Sequence, residues 1–137
     1  MNDVVLNKKE SIERCIRQIR NYYQLPSEFD FVEDHLRQDA IAINMQRACE
    51  QIIDLANHLV KTCKLEIPKD SRDSFHLLID HQIIPKSLGD HMIKMIGFRN
   101  VLVHQYQQLD LGLMVDVIEN HLDDLLLFTE HVIKASE

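Results

Sequence analysis

From Asp34 to Cys63 the chain runs without a glycine or a proline and carries one wide apolar stripe. Ile41, Met45, Ala48, Cys49, Ile52, Leu55, Ala56 and Leu59 recur at the spacing of a single helix face. Strands rarely exceed about ten residues, so the stretch predicts one long helix. Such a stripe needs other amphipathic elements to cover it.

The rest of the chain supplies them. Ile12, Cys15, Ile16, Ile19 and Tyr23 mark a first helix that ends before Leu25-Pro26, because the residue before proline disfavours helical backbone. Residues 25–34 read as a loop. After Pro68 a short third helix starts near Ser71 and runs through Phe75, Leu78 and Ile79. Pro85 resets the chain, and Ser87 is the expected N-cap of a fourth helix, with Asp90 three residues on as a weak capping box. That helix carries Met92, Met95, Ile96, Leu102 and Val103 and ends near Gln107. Asp110 and Gly112 mark a break. A fifth helix follows on Val117, Ile118, Leu122, Leu125, Phe128 and Val132. The expected architecture is an all-α, five-helix bundle in one domain spanning 1–137, a normal size for a single domain. Only three glycines and three prolines agree with helices over a turn-rich β fold.

Composition excludes several classes. No run of about 18 apolar residues is present, so no membrane span is expected. Residues 1–10 lack the apolar core of a secretory signal. Cys15, Cys49 and Cys63 form no Cys-x-x-Cys pair and sit at apolar-periodic positions, which reads as reduced core thiols in a cytoplasmic protein. The eight histidines contain no His-Glu-x-x-His and no Cys/His knuckle, so no metal site and no cofactor are expected. The net charge of −7 argues against a simple nucleic-acid binder. It is uneven: residues 108–137 hold seven acidic side chains and one lysine, whereas residues 1–107 hold 15 acidic and 14 basic ones. Arg14, Arg17 and Arg20 precede Tyr22-Tyr23, a stacking and phosphate patch or, more commonly, the end of a core helix.

The chemistry-bearing stretch is Arg99-Asn100-Val101-Leu102-Val103-His104-Gln105-Tyr106. On a helix Asn100 and His104 share a face. Arg99 and His104 lie about 140° apart, within reach of a common substrate for a long guanidinium. Arginine stays charged and grips phosphate oxygens in a fork. Histidine titrates near neutrality and serves as base or acid. Arg47, Glu50 and Asp54 form a polar stripe on the long helix, either lining a cleft or making a solvated ion-pair face.

Arg-x-x-x-x-His-x-Tyr on the penultimate helix resembles the signature of the HEPN superfamily, and more narrowly its HepT-like toxins. The Arg47-x-x-Glu50-x-x-x-Asp54 run is similar to one those proteins show. The resemblance implies metal-free RNA cleavage by Arg99 and His104, supported by Asn100, Arg47, Glu50 and Asp54. It implies a two-fold homodimer with the cleft at its interface. It also implies a type VII-like toxin–antitoxin pair in which a minimal nucleotidyltransferase silences the toxin by AMP transfer to Tyr106. A non-catalytic helical module that only docks the nucleotidyltransferase is the alternative.

Overall fold

The computed structural model describes residues 3–104 and 110–136; the side chains of Val103 and His104 also lie outside the description. Its helices are α1 (Asp3–Gln24), α2 (His35–Thr62), α3 (Ser71–Asp80), α4 (Lys86–His104), α5 (Leu111–Asn120) and α6 (Leu122–Ser136). Among the described residues there is no strand. No helix is long and apolar enough to cross a membrane.

α2 is the spine. Its 28 residues span about 42 Å at 1.5 Å per residue, and its stripe is covered by α1 and α6, with α3 and α4 against its flank. The buried apolar side chains of all six helices form one cluster. Phe75 of α3 and Phe128 of α6 meet inside it, ring centroids 5.5 Å apart, and both are fully buried.

Six helices replace the expected five, because the last apolar stripe is cut at His121. Its backbone leaves the helical region (φ −124°, ψ −4°). The side chains around it bond locally instead of continuing the helix: Asn120 Nδ2 donates to Asp116 Oδ1 at 2.7 Å, and the His121 ring lies between Asp116 (3.2 Å) and Asp124 (3.3 Å). The apolar positions keep their spacing across the break, which hides it from periodicity. The expected N-cap at Ser87 is also corrected. α4 already starts at Lys86, the Pro85 carbonyl accepts from Gly89 N–H at 3.0 Å, and Asp90 pairs with Lys86 at 2.8 Å instead of closing a capping box. The expected end of that helix near Gln107 falls outside the described residues.

The 25–34 loop contains a 3-10 turn, Phe31–Glu33, and is tied down by Arg37. The Arg37 guanidinium donates to the carbonyls of Tyr22, Tyr23, Leu25 and Phe29 and to the Asp34 carboxylate at 2.8 Å. Backbone and side-chain donors hold the Asp34 carboxyl below the usual carboxylate range, the Arg37 N–H first and the Ser27 hydroxyl next. α2 and α3 each end in a Schellman motif with a non-glycine residue in the left-handed region, Lys64 (φ 57°) and Gln82 (φ 59°).

Gly89 lets α4 lie directly on α3: a methyl at this position would run into the Ile79 side chain. Gly97 is different, since the nearest atom to a methyl there is Arg72 Nη2 at 3.8 Å, an ordinary contact. Alanine gains about 1 kcal/mol of helix propensity at either site, but overpacking costs about 1–3 kcal/mol at Gly89 alone. Urea unfolding of Gly89→Ala is therefore expected to show a net loss of about 1–2 kcal/mol, and Gly97→Ala a small gain. Equal effects at the two sites would contradict this packing.

Candidate active site

Arg99 projects from α4 onto the middle of α2. Its Nη2 donates to Glu50 Oε1 at 3.3 Å and its Nη1 to Asn100 Oδ1 at 3.1 Å. The Arg99 side chain is 28% exposed and Glu50 41%, so the pair sits at the mouth of a depression and not in the core. Gln46, one turn before Glu50, donates to the same Oε1 at 3.4 Å. Arg99 Nε is buried and has no partner. Of the five N–H donors of a guanidinium, one on each Nη thus remains for an incoming anion. Asn100 and Glu50 hold the fork from two sides, which fixes its plane.

Below this pair lies Cys49. Burial pushes its thiol up to about 12, against the lowering effect of the Arg99 charge. At neutral pH it is a protonated core residue and no nucleophile. Burial likewise raises Cys15, opposed by Arg14 and Arg47.

The Arg47–Glu50–Asp54 stripe divides across α2. At about 100° per residue, Arg47 and Asp54 both lie round the helix from Glu50 toward α1. Asp54 pairs with Lys8 of α1 at 3.0 Å, and Arg47 lines a pocket with Arg14 of α1. Glu50 alone of the three reaches Arg99.

His104 is the last residue of α4, its side chain outside the description, and Tyr106 lies outside the described residues altogether. Gly97, Asn100 and His104 occupy neighbouring positions on one stripe of α4, at i, i+3 and i+7. Arg72 of α3 approaches this stripe beside Gly97. Neither Gln46 nor Arg72 was singled out from sequence. Gln46 had a signal, four residues before Glu50 on the same face, whereas Arg72 belongs to another helix and had none.

The histidines are less scattered than their sequence suggests. His91 of α4 and His121 share Asp124, at 3.1 and 3.3 Å, with their rings 5.9 Å apart, and this cluster clamps α4 to the α5–α6 corner. The neighbouring Asp123 pairs with Arg20 of α1 at 2.8 Å. Among the described residues no group of three or more His, Cys, Asp or Glu is arranged to hold a metal ion.

An all-helical bundle that mounts an arginine fork five residues before a histidine places the chain in a definite class. The sequence model of the family described as Ribonuclease HepT-like matches residues 12–132, and the chain belongs to that family. It is 44% identical to the mRNA nuclease HepT of Shewanella oneidensis, across 98% of this chain and 99% of that protein. The solved structure of a tri-AMPylated Shewanella oneidensis HEPN toxin in complex with an MNT antitoxin superposes with a TM-score of 0.90 at 44% identity, covering 98% of this chain and 99% of that one. A toxin–antitoxin crystal structure with AMP-PNP gives 0.89 at 42% identity, over 96% and 99% of the two chains. The YutE protein of Bacillus subtilis shares the fold, with a TM-score of 0.74 at 21% identity over 93% and 87%.

Proposed function

We propose that the chain is a metal-independent endoribonuclease, the toxin of a toxin–antitoxin pair, with Arg99 and His104 as its reacting residues. The observation that carries this reading is the Arg99 fork, oriented by Glu50 and Asn100 with free N–H groups, one turn and a half before His104 on the same rigid helix. The 44% identical relative named as an mRNA nuclease supports it. In this reading the whole chain works as one domain in the cytoplasm.

Cleavage starts when a ribose 2′-OH attacks the adjacent phosphorus. His104 takes the hydroxyl proton, and Arg99 binds the non-bridging oxygens, where charge builds up in the phosphorane. The P–O5′ bond then breaks and the leaving oxygen takes a proton. One histidine per chain leaves that second proton transfer without a donor. A two-fold homodimer supplies it, with His104 of the partner subunit across a shared cleft. The products are a 2′,3′-cyclic phosphate and a 5′-hydroxyl. Glu50 and Asn100 act as positioning residues, and Arg72 extends the cationic side of the cleft. Asp54 supports the site indirectly, by anchoring α1 to α2 through Lys8, and Arg47 works on the α1 edge of α2.

The antitoxin is a minimal nucleotidyltransferase. Tyr106 Oη attacks the α-phosphorus of ATP, pyrophosphate leaves, and the attached adenylate places bulk and negative charge where RNA phosphate binds. The AMPylated state of the Shewanella toxin, solved with its MNT antitoxin, supports this step. Expression of the chain alone is expected to arrest growth, and His104→Ala to relieve the arrest. Co-expressed antitoxin is expected to add adenylate to the wild type, read by intact mass, and none to Tyr106→Phe, which keeps its nuclease activity. Adenylate found at another residue of Tyr106→Phe would overturn the assignment. The net charge of −7 favours a second reading, a non-catalytic module that docks the nucleotidyltransferase. Growth arrest that survives His104→Ala would support it.

A further inference from the structure

Between α1 and α2, about a quarter turn round α2 from Glu50, lies a polar pocket of about 470 Å³. Ser11, Arg14 and Gln18 of α1 face Asn44, Arg47 and Gln51 of α2 across it. In a chain with 22 acidic side chains, no carboxylate lines this pocket among the described residues. Neither Arg14 nor Arg47 makes an ion pair among those residues. Two unneutralised guanidinium groups facing one cavity favour an anion.

The wall holds a second, independent signal. Asn44 is 4% exposed, its Nδ2 donates to the Ala40 carbonyl at 2.8 Å, and its Oδ1 has no partner at all. The Ala40 carbonyl needs a donor, so the amide cannot be turned round to hide the defect. A buried acceptor without a donor is costly, and a ligand that supplies the donor removes the cost. A bare phosphate oxygen would face Asn44 Oδ1 as one acceptor against another. The pocket therefore asks for an anion and a hydrogen-bond donor on the same molecule, at a size within the range of small-molecule sites.

We propose that the α1–α2 pocket is a nucleotide-binding subsite. The phosphate sits between Arg14 and Arg47, an exocyclic amine or ribose hydroxyl donates to Asn44 Oδ1, and Gln18 and Gln51 offer further amide contacts. The unit bound is either a free mononucleotide or one nucleotide of an RNA strand. The site is separate from the Arg99 cleft and does not depend on nuclease activity.

Calorimetric titration of the full-length protein tests this with four probes: adenosine 5′-monophosphate, uridine 5′-monophosphate, inorganic phosphate and an uncleavable 2′-O-methyl oligonucleotide. At least one nucleotide probe is expected to saturate, more tightly than phosphate. Arg47→Ala, at an exposed position, is expected to weaken it by about tenfold or more, and Arg47→Lys to restore part of it. Asn44→Ala is expected to bring nucleotide affinity down toward that of phosphate. Arg99→Ala is expected to keep the binding, which separates this pocket from the cleft. Saturation by a mononucleotide marks a free-nucleotide site; saturation by the oligonucleotide alone marks an RNA contact. No saturation by any nucleotide probe, or binding that Arg47→Ala leaves unchanged while Arg99→Ala abolishes it, overturns the proposal.

Discussion

Replacing Arg99 with alanine is expected to lower metal-free RNA cleavage by about 10²–10³-fold, the loss typical of a deleted transition-state donor. Stability is expected to move by less than about 1 kcal/mol. The two effects part because of how Arg99 sits. Its ion pair with Glu50 is half-exposed, so solvent screens most of what that pair contributes to folding. Its buried Nε has no partner, so truncation also removes an unsatisfied donor. Its free Nη donors gain their value only once a phosphorane forms. Lysine at this position keeps the charge but loses the fork, and an intermediate rate is expected, about tenfold or more below wild type. Single-turnover cleavage beside urea unfolding reads both quantities. Unchanged cleavage in a folded Arg99→Ala protein would remove this residue from the reaction.

The largest stability effect is expected at Phe128, where alanine should cost about 3–5 kcal/mol and lower the thermal midpoint by about 10–20 °C. Phe128 is fully buried and packs against Phe75, joining α6 to α3. Truncation loses the transfer term of the ring and leaves a cavity that two rigid helices cannot collapse. Thermal unfolding checks it. A loss under about 1 kcal/mol would mean that the core repacks freely and that α6 does not clamp the bundle.

Much of this fold can be read from the sequence where burial acts through local periodicity. The long helix expected from Asp34 to Cys63 is His35–Thr62 in the structure, because its stripe is dense and both ends carry clear signals. α1 starts at Asp3, well before Ile12. Its first turns are polar and gain their hold from tertiary partners: Val5 in the core and Lys8 on Asp54. The break at His121 depends on aspartates that reach back to one ring, and no apolar spacing records it.

The site shows the same division. Arg99, Asn100 and His104 stand out because their chemistry sits at fixed offsets along one helix. That Glu50 meets Arg99, while Asp54 meets Lys8 and Arg47 faces Arg14, depends on which neighbour covers each edge of α2. Residues three and four apart look equivalent in sequence, yet they diverge by tens of degrees round the helix, enough to send them to different partners.

The most direct test of the central claim is cleavage of total cellular RNA in EDTA by purified wild-type protein, shown by intact mass to carry no adenylate, beside His104→Ala. The account predicts cleavage by the wild type, leaving 2′,3′-cyclic phosphate ends, and none by His104→Ala. Cleavage that needs an added divalent ion, or no cleavage by the unmodified wild type, would contradict it.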